Sequence, residues 1–150
     1  EWFITLLEPG LIKLESLGIR ENKMVLKRYC ADGDDDINYI NDVIISGEWE
    51  VARYIDNDVN MIEEYFKYTI KFSENGYIKV TDPNNGIIDG SWLAYRNEGL
   101  YLGMNYGIAA PFNDLNHRWK IVEITPNRIE MKDFSANGEV ERILVLEKKA

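Results

Sequence analysis

Residues 64–76 have the sequence Glu-Tyr-Phe-Lys-Tyr-Thr-Ile-Lys-Phe-Ser-Glu-Asn-Gly, which indicates the fold class. Every second residue from Phe66 to Phe72 is aromatic or isoleucine, with lysine or threonine between them. Such a period of two predicts a half-buried β-strand over residues 64–72, because successive side chains of a strand point to opposite faces. Asn75-Gly76 then predicts a hairpin turn, since these residues tolerate the positive φ that tight turns require. We therefore expect an antiparallel strand to return from Tyr77.

The same combination of short alternating segments and turn residues continues to the end of the chain. It predicts an all-β module with eight antiparallel strands in sequential hairpins over residues 46–149. Closing such a meander removes its exposed edges, so we predict an eight-stranded up-and-down barrel. An open two-sheet sandwich is compatible with the same pattern. The predicted strands span residues 47–55, 64–72, 77–82, 87–96, 100–104, 118–125, 128–134 and 139–148, with a helical turn near 57–63.

A sequence repeat links the two ends of the chain. The pattern Trp2-x-Ile4, Pro9-Gly10-x-Ile12-x-Leu14 recurs as Trp119-x-Ile121, Pro126-Asn127-x-Ile129-x-Met131, at an offset of 117 residues. Farther on, Met24-x-Leu26-x-Arg28 matches Leu144-x-Leu146-x-Lys148. A repeat at a fixed offset indicates a repeated structural unit. Residues 1–29 are therefore predicted to be three strands (2–7, 11–17 and 23–29) that close an upstream module, and residues 46–149 a complete module.

Residues 30–45 differ from both flanking segments. They begin with an acidic run and continue with Ile37, Ile40 and Ile44, whose spacing places them on one face of a short helix. We predict an acidic linker whose helix plugs or flanks the barrel. The apolar face expected for residues 1–29 needs a cover, either the barrel, an upstream module or a second molecule. Strand exchange between two chains is a low-cost route to a homodimer through residues 1–29. That face comprises Ile4, Ile12, Leu14, Met24 and Leu26.

An ordered set of motifs carries a family resemblance. Gly-x-Trp occurs at Gly47/Trp49 and again at Gly90/Trp92, on either side of a Phe72/Gly76 strand and turn. Leu100/Leu102, Trp119/Ile121 and Leu144/Leu146/Lys148 follow in order. This order resembles the bacterial lipocalin-like (calycin-type) β-barrel domain of secreted and surface-anchored proteins, as one complete copy preceded by the closing strands of a second. The resemblance implies an extracytoplasmic location, periplasmic or cell-surface. We recognise no signal peptide in the chain and expect a mature form or an excised segment.

Composition excludes several classes of function. The net charge of −9 and pI near 4.7 argue against binding to nucleic acid or to an anionic membrane surface. Cys30 is the single cysteine, which excludes an internal disulfide. The single histidine, His117, lies at a loop-to-strand junction without a nucleophile context, and no phosphate-binding glycine loop is present. We therefore predict no enzyme activity, no catalytic residue, no metal site and no cofactor.

Binding is the predicted role, and the barrel limits its size. The interior of an eight-stranded barrel is either filled by side chains or holds one small ligand. We predict that Tyr68, Tyr101, Tyr106 and Phe112, with Met104 beside them, form a mouth that binds a small apolar or aromatic molecule. The alternative is a solid barrel that presents loops such as residues 105–116 to a protein or glycan partner. The predicted inward set is Trp49, Phe66, Tyr68, Ile70, Phe72, Trp92, Leu100, Leu102, Met104, Trp119 and Ile121.

One further expectation concerns the barrel seam. First and last strands adjoin in a closed barrel, so Arg142 is expected to stack on Trp49 as a cation–π pair. Its alternative partners are Glu139 and Glu141.

Overall fold

The computed structural model describes residues 2–8, 11–16, 22–27 and 34–150. The chain divides into two compact units, Glu1–Asp35 and Asp36–Ala150. The turns expected at Pro9-Gly10 and around Arg20, together with Cys30, lie outside the described residues, as do the side chains expected on the apolar face of residues 1–29.

The first unit contains a three-stranded antiparallel sheet. Its strands are β1 (Trp2–Glu8), β2 (Leu11–Ser16) and β3 (Asn22–Lys27), in the order β1-β2-β3. The extra N-terminal β segment predicted from the sequence is therefore confirmed.

Helix α1 (Asp35–Ile44) begins at the boundary between the units, and all its residues after Asp35 belong to the second unit. Ile37, Ile40 and Ile44 are buried, as their spacing predicts, and Val43 is buried with them. The indole nitrogen of Trp49 donates a hydrogen bond of 2.8 Å to the carbonyl oxygen of Ile44. This bond fixes the end of α1 to the start of the first barrel strand.

Eight antiparallel strands then form a closed barrel, so the predicted barrel is confirmed and the open sandwich is wrong. Consecutive strands pair as a meander, and the last strand pairs with the first, with Leu144 opposite Tyr54. A two-residue strand, β5 (Val59–Asn60), pairs beside the first and is extra to the barrel. The barrel strands are β4 (Glu48–Asp56), β6 (Thr69–Phe72), β7 (Tyr77–Thr81), β8 (Ile87–Arg96), β9 (Leu100–Asn105), β10 (Arg118–Thr125), β11 (Arg128–Phe134) and β12 (Val140–Lys148).

The strand predicted over residues 64–72 is shorter than expected and covers only Thr69–Phe72. Ile62–Tyr65 form a 3-10 helix, and Lys67 takes a φ of 68°. A left-handed residue cannot be part of an extended strand. The inward-outward alternation that places Ile70 and Phe72 inside therefore does not extend to the residues before Lys67. Tyr65 is consequently buried and Phe66 is 68% exposed, which makes the predicted inward position of Phe66 wrong. The helical turn expected near residues 57–63 is found at Ile62–Tyr65.

The pairing register of β1–β3 reproduces that of β10–β12. Adding 117 to residue numbers in β1 and β2, and 120 to those in β3, converts each register pair of the first sheet that has a counterpart in the second. For example, Ile4 opposite Leu14 becomes Ile121 opposite Met131. Both hairpins also contain a one-residue irregularity at the equivalent place, at Thr5 and at Val122. The sequence repeat therefore extends to backbone pairing.

Large side chains fill the barrel interior. Most of the predicted inward set is buried, whereas Leu100, Ile121 and Tyr68 are partly exposed. Tyr54, Tyr65, Tyr106 and Phe112 add four aromatic rings to the interior. The correctly predicted buried residues are Trp49, Ile70, Phe72, Trp92, Leu102, Met104 and Trp119.

Candidate functional site

Four aromatic rings meet at one end of the interior and form what we call the Phe112 cluster, comprising Tyr65, Tyr68, Tyr106 and Phe112. Phe112 begins the 3-10 helix Phe112–Leu115 and has no exposed surface. Its ring centroid lies 5.3 Å from that of Tyr65, 5.2 Å from Tyr68 and 5.0 Å from Tyr106. The contacts with Tyr65 and Tyr68 are edge-to-face and that with Tyr106 is tilted. Aromatic pairs at these distances stabilise a core beyond the effect of their buried area. The cluster therefore has the packing of a core.

Two hydroxyl groups of the cluster have hydrogen-bond partners within the protein. The Tyr65 hydroxyl donates to the Pro111 carbonyl oxygen at 2.9 Å, and the Tyr106 hydroxyl to the Met104 sulfur at 3.3 Å. Burial raises the pKa of both tyrosines, since the charged phenolate is disfavoured away from water. These groups are therefore neutral hydrogen-bond donors at physiological pH.

The next buried tyrosine, Tyr54, extends the same aromatic network towards Trp119. Its ring lies 5.3 Å from Tyr65 and 6.2 Å from Trp119, and its hydroxyl donates to the Asp114 carbonyl oxygen at 3.3 Å. Burial, together with the nearby Asp56 carboxylate, raises the pKa of Tyr54 to about 12, against an opposing effect of Arg142. Aromatic contacts thus continue from the Phe112 cluster to the opposite wall of the barrel.

The structure brings together four of the five predicted site residues. Tyr68, Tyr106 and Phe112 share the Phe112 cluster, and Met104 contacts it through the Tyr106 hydroxyl. Tyr101 lies on the outer face of β9, because it alternates with the inward Leu102. Whether the gathered residues bind a ligand stays a prediction.

A concave surface that the sequence analysis did not identify lies mainly on the outer side of the barrel, and we call it the outer groove. Its volume is about 910 Å³, and it is open to solvent. Residues of β8 to β11 and of the loop before β10 line it. Its apolar part includes Leu93, Tyr95, Tyr101 and Phe134, of which Leu93 is 60% exposed. The polar part includes Asn97, Asn105, Asn116 and Arg118.

Two tyrosines form the floor of the outer groove. The rings of Tyr95 and Tyr101, register partners on β8 and β9, stack with centroids 5.4 Å apart and planes 13° from parallel. Gly103 follows on the same face of β9, and a Cβ built there would lie 3.6 Å from the Tyr95 ring. Burial raises the pKa of Tyr95, although the Arg118 charge has the opposite effect. The groove thus presents a pair of stacked aromatic rings.

Charged groups lie close to the groove around Asp133. Arg142 donates to the Asp133 carboxylate at 2.8 Å and lies 3.2 Å from the Asp56 carboxylate. His117 Nδ1 is 3.7 Å from the same Asp133 oxygen. Burial alone lowers the pKa of Arg142, but the hydrogen bond to Asp133 and the charge of Asp56 raise it overall. Asp133 is therefore held in place by Arg142 from the neighbouring strand.

The prediction that Arg142 stacks on Trp49 is wrong. β4 and β12 do adjoin, but Arg142 is opposite Asp56 at one end of the seam, and Trp49 is opposite Lys148 at the other. Lys148 accordingly supplies the cation, with its amine 5.3 Å from the Trp49 ring. The alternative pairing is confirmed for Glu141, whose carboxylate lies 3.3 Å from Arg142.

Within the described parts of the chain, no group of three or more His, Cys, Asp or Glu side chains is placed to hold a metal ion. No helix among the described residues has the length and apolar character needed to span a membrane.

Comparisons with known proteins identify the fold. No protein-family model matches the chain, and no curated protein matches it. The solved structure of a DUF4847 family protein from Bacteroides vulgatus is similar, with a TM-score of 0.51 and 13% sequence identity. The similarity covers 73% of this chain and 97% of that protein. At this identity the likeness shows a shared barrel fold and nothing about a ligand.

Proposed function

We propose that the protein is a non-enzymatic, extracytoplasmic recognition module, a lipocalin-like barrel from a tandem array, that binds its partner in the outer groove. One observation carries this proposal. The Phe112 cluster fills the interior at the site predicted for a ligand, whereas the groove presents exposed aromatic surface in a concave setting. Ligand sites are typically concave and combine aromatic surface with a few polar groups. The motif order and the resemblance to secreted barrels support the location.

The chemistry of the groove favours a carbohydrate. A sugar ring has apolar C–H faces that pack on aromatic rings, and the stacked Tyr95 and Tyr101 provide such a surface. Sugar hydroxyls both donate and accept hydrogen bonds, and asparagine amides offer both functions. Asn97 and Asn105 lie beside the aromatic rings, and the Asn105 oxygen accepts a hydrogen bond from the Gly107 amide. Asn116 lies there too, with its amide group bonded to the backbone of Tyr106 and Gly107. This combination suits an amphipathic, uncharged ligand.

The charge balance narrows the ligand further. The chain has a net charge of −9, and the Asp133 carboxylate lines the groove together with the Arg118 guanidinium. A polyanionic ligand would be repelled by the net charge of the protein at low ionic strength. We therefore infer that the ligand is a neutral oligosaccharide.

A second candidate, a small apolar or aromatic molecule, keeps the binding site predicted from the sequence. Met104 lines the outer groove and also accepts the hydrogen bond of Tyr106, so it connects the groove to the Phe112 cluster. A ligand that entered beside Met104 and displaced the Tyr106 ring would contact four residues of the predicted site, namely Tyr68, Met104, Tyr106 and Phe112. This alternative requires a fully buried tyrosine, Tyr106, to move out of its packed position. We therefore rank it second.

An array of immobilised neutral oligosaccharides, followed by calorimetric titration of the retained sugar, tests the proposal. Tyr101→Ala removes one ring of the groove floor and is expected to weaken binding about tenfold, or about 1.4 kcal/mol. Tyr39→Ala is the matched control, because Tyr39 is a 44% exposed tyrosine on α1, outside the groove. Failure of every neutral sugar to bind, or equal affinities for the two variants, would overturn the proposal.

A further inference from the structure

We propose that β1–β3 is a second set of barrel-closing strands, equivalent to β10–β12, whose partner is another copy of the five opening strands β4 and β6–β9. In the barrel, β10 pairs with β9 and β12 pairs with β4, so β10–β12 close the sheet. β1–β3 has the same strand order and direction as these closing strands. The partner is accordingly a polypeptide of this same type rather than a small molecule.

The shared irregularity in the hairpins supports the equivalence beyond a common strand count. β1 has an extra residue at Thr5 relative to β2, and β10 has one at Val122 relative to β11. A β-bulge of this kind bends its strand and increases the local twist. Because Thr5 and Val122 differ by the repeat offset of 117, the two hairpins bend at the same place. β1–β3 therefore has the backbone course needed to continue a barrel wall.

The apolar pattern of β1–β3 matches the side chains that β10–β12 bury. Six residues of β10–β12 are at most 2% exposed in the barrel, and all six have apolar equivalents at the register positions of β1–β3. A register slip of one residue would direct the opposite set inward, so the match is specific to this register. The pairs are Trp119 and Trp2, Ile129 and Ile12, Met131 and Leu14, Leu144 and Met24, Val145 and Val25, and Leu146 and Leu26.

The charge of β3 would also complement the charge of β4 in the proposed pairing. In the barrel, Glu147 of β12 is the register partner of Glu50 of β4, which places like charges on adjacent strands. Lys27 holds the position of Glu147 in the N-terminal sheet, since Lys27 pairs with Leu11 as Glu147 pairs with Arg128. Docked beside β4 in this register, β3 would place Lys27 opposite Glu50. Opposite charges in directly facing positions stabilise strand pairing, and like charges destabilise it.

Disabling each closing set within the full chain tests the proposal. Leu144→Asp with Leu146→Asp introduces charge at two interior positions of β12, and leaves β4 and β6–β9 of the same chain as the partner for β1–β3. Met24→Asp with Leu26→Asp makes the matched change in β3. We expect the β12 variant to keep a cooperative urea transition at a lower midpoint, and the variant with both changes to lose it. Equal loss of the transition with β3 intact or disabled would overturn the proposal.

Disulfide trapping in the β12 variant provides a second readout, with Cys30→Ser in every chain. Lys27→Cys with Glu50→Cys places the two thiols opposite each other only in the proposed register, within the short Cα separation that a disulfide requires. Lys23→Cys with Glu50→Cys is the control, because Lys23 lies on β3 but four residues away. We expect at least about tenfold more disulfide for the first pair under the same oxidation. Equal yields would contradict the equivalence of β3 and β12.

Discussion

Replacing Phe112 by alanine distinguishes two interpretations of the Phe112 cluster, a filled core and a ligand site. Phe112 has no exposed surface, and its ring contacts those of Tyr65, Tyr68 and Tyr106 at centroid distances of 5.0 to 5.3 Å. If these rings are core, the substitution opens a cavity and destabilises the fold. If they line a site that is only partly filled, the surrounding side chains already tolerate empty space and the loss is small.

The expected loss follows from the packing. Truncation of a buried Phe to Ala typically costs about 3–5 kcal/mol of folding free energy, including the cavity left behind. Phe112 makes three ring contacts, and each aromatic pair contributes about 0.5–1.5 kcal/mol beyond the effect of its buried area. The loss for Phe112→Ala should therefore lie in the upper half of the range for such truncations. Phe112→Leu keeps most of the volume and should cost about 1–1.5 kcal/mol. Typical domains have about 5–15 kcal/mol of total stability, so the alanine variant should be folded but strongly destabilised.

Equilibrium urea unfolding, followed by tryptophan fluorescence and circular dichroism, measures these differences. Trp49 and Trp119 are fully buried and report loss of the barrel interior. The leucine variant is the control for changes at this position that keep its bulk. A loss below about 1 kcal/mol for Phe112→Ala, with an unchanged denaturant slope, would refute the interpretation of the cluster as core.

Three other predictions concern the barrel wall, a partly buried ion pair and a buried tyrosine, and each is measured by urea unfolding. Gly90→Ala should destabilise by more than about 1 kcal/mol, because its Cβ would lie 2.7 Å from a backbone oxygen, while Gly103→Ala, with 3.6 Å of space, should be nearly neutral. Arg142→Met should cost about 1–2 kcal/mol by leaving its carboxylate partners unpaired, more than Arg128→Met, whose ion pairs span 3.7 to 4.0 Å. The pKa of Tyr54 is raised from an ordinary 10.0 to about 12 in the folded protein. The unfolded chain therefore loses this proton at lower pH than the folded protein does. The contribution of Tyr54 to the free energy of unfolding is thus fully present well below pH 10 and is lost as the pH rises from 10 to 12. Tyr54→Phe should remove about 1.4 kcal/mol of the loss seen between pH 9 and pH 11, and an equally steep loss in the variant would contradict this assignment.

The strand and turn pattern predicted the barrel well, because it depends on local sequence. Ile37, Ile40 and Ile44 defined α1 by their spacing, and β8, β10 and β11 have the predicted bounds. The error at residues 64–68 has a specific cause. Lys67 takes a left-handed conformation, which its residue type does not indicate, and this reverses the direction of Tyr65 and Phe66.

The candidate site was harder to predict than the fold. Periodicity assigned Met104 to the inward face correctly, and the same alternation places Tyr101 outward, away from the predicted mouth. The outer groove depends on side chains from strands that are distant in sequence, such as Leu93 on β8 and Phe134 on β11. Its depth depends on the curvature of the sheet between those strands, and alternation within one strand carries no information about that curvature. The pairing of Arg142 with Asp56 depends likewise on the exact register at the seam.

Carbon-13 NMR of the Met131 methyl group, with benzene as a titrated probe, tests most directly whether the barrel is filled. Met131 is fully buried in the interior and therefore reports a ligand that enters there. Apolar cavities created by truncation of large side chains bind benzene, so Phe112→Ala is the positive control. In the wild-type protein we expect no saturable shift of the Met131 signal, whereas Phe112→Ala should show one. A saturable shift in the wild-type protein would show an interior able to take a ligand, and would contradict a filled barrel that recognises its partner from the outside.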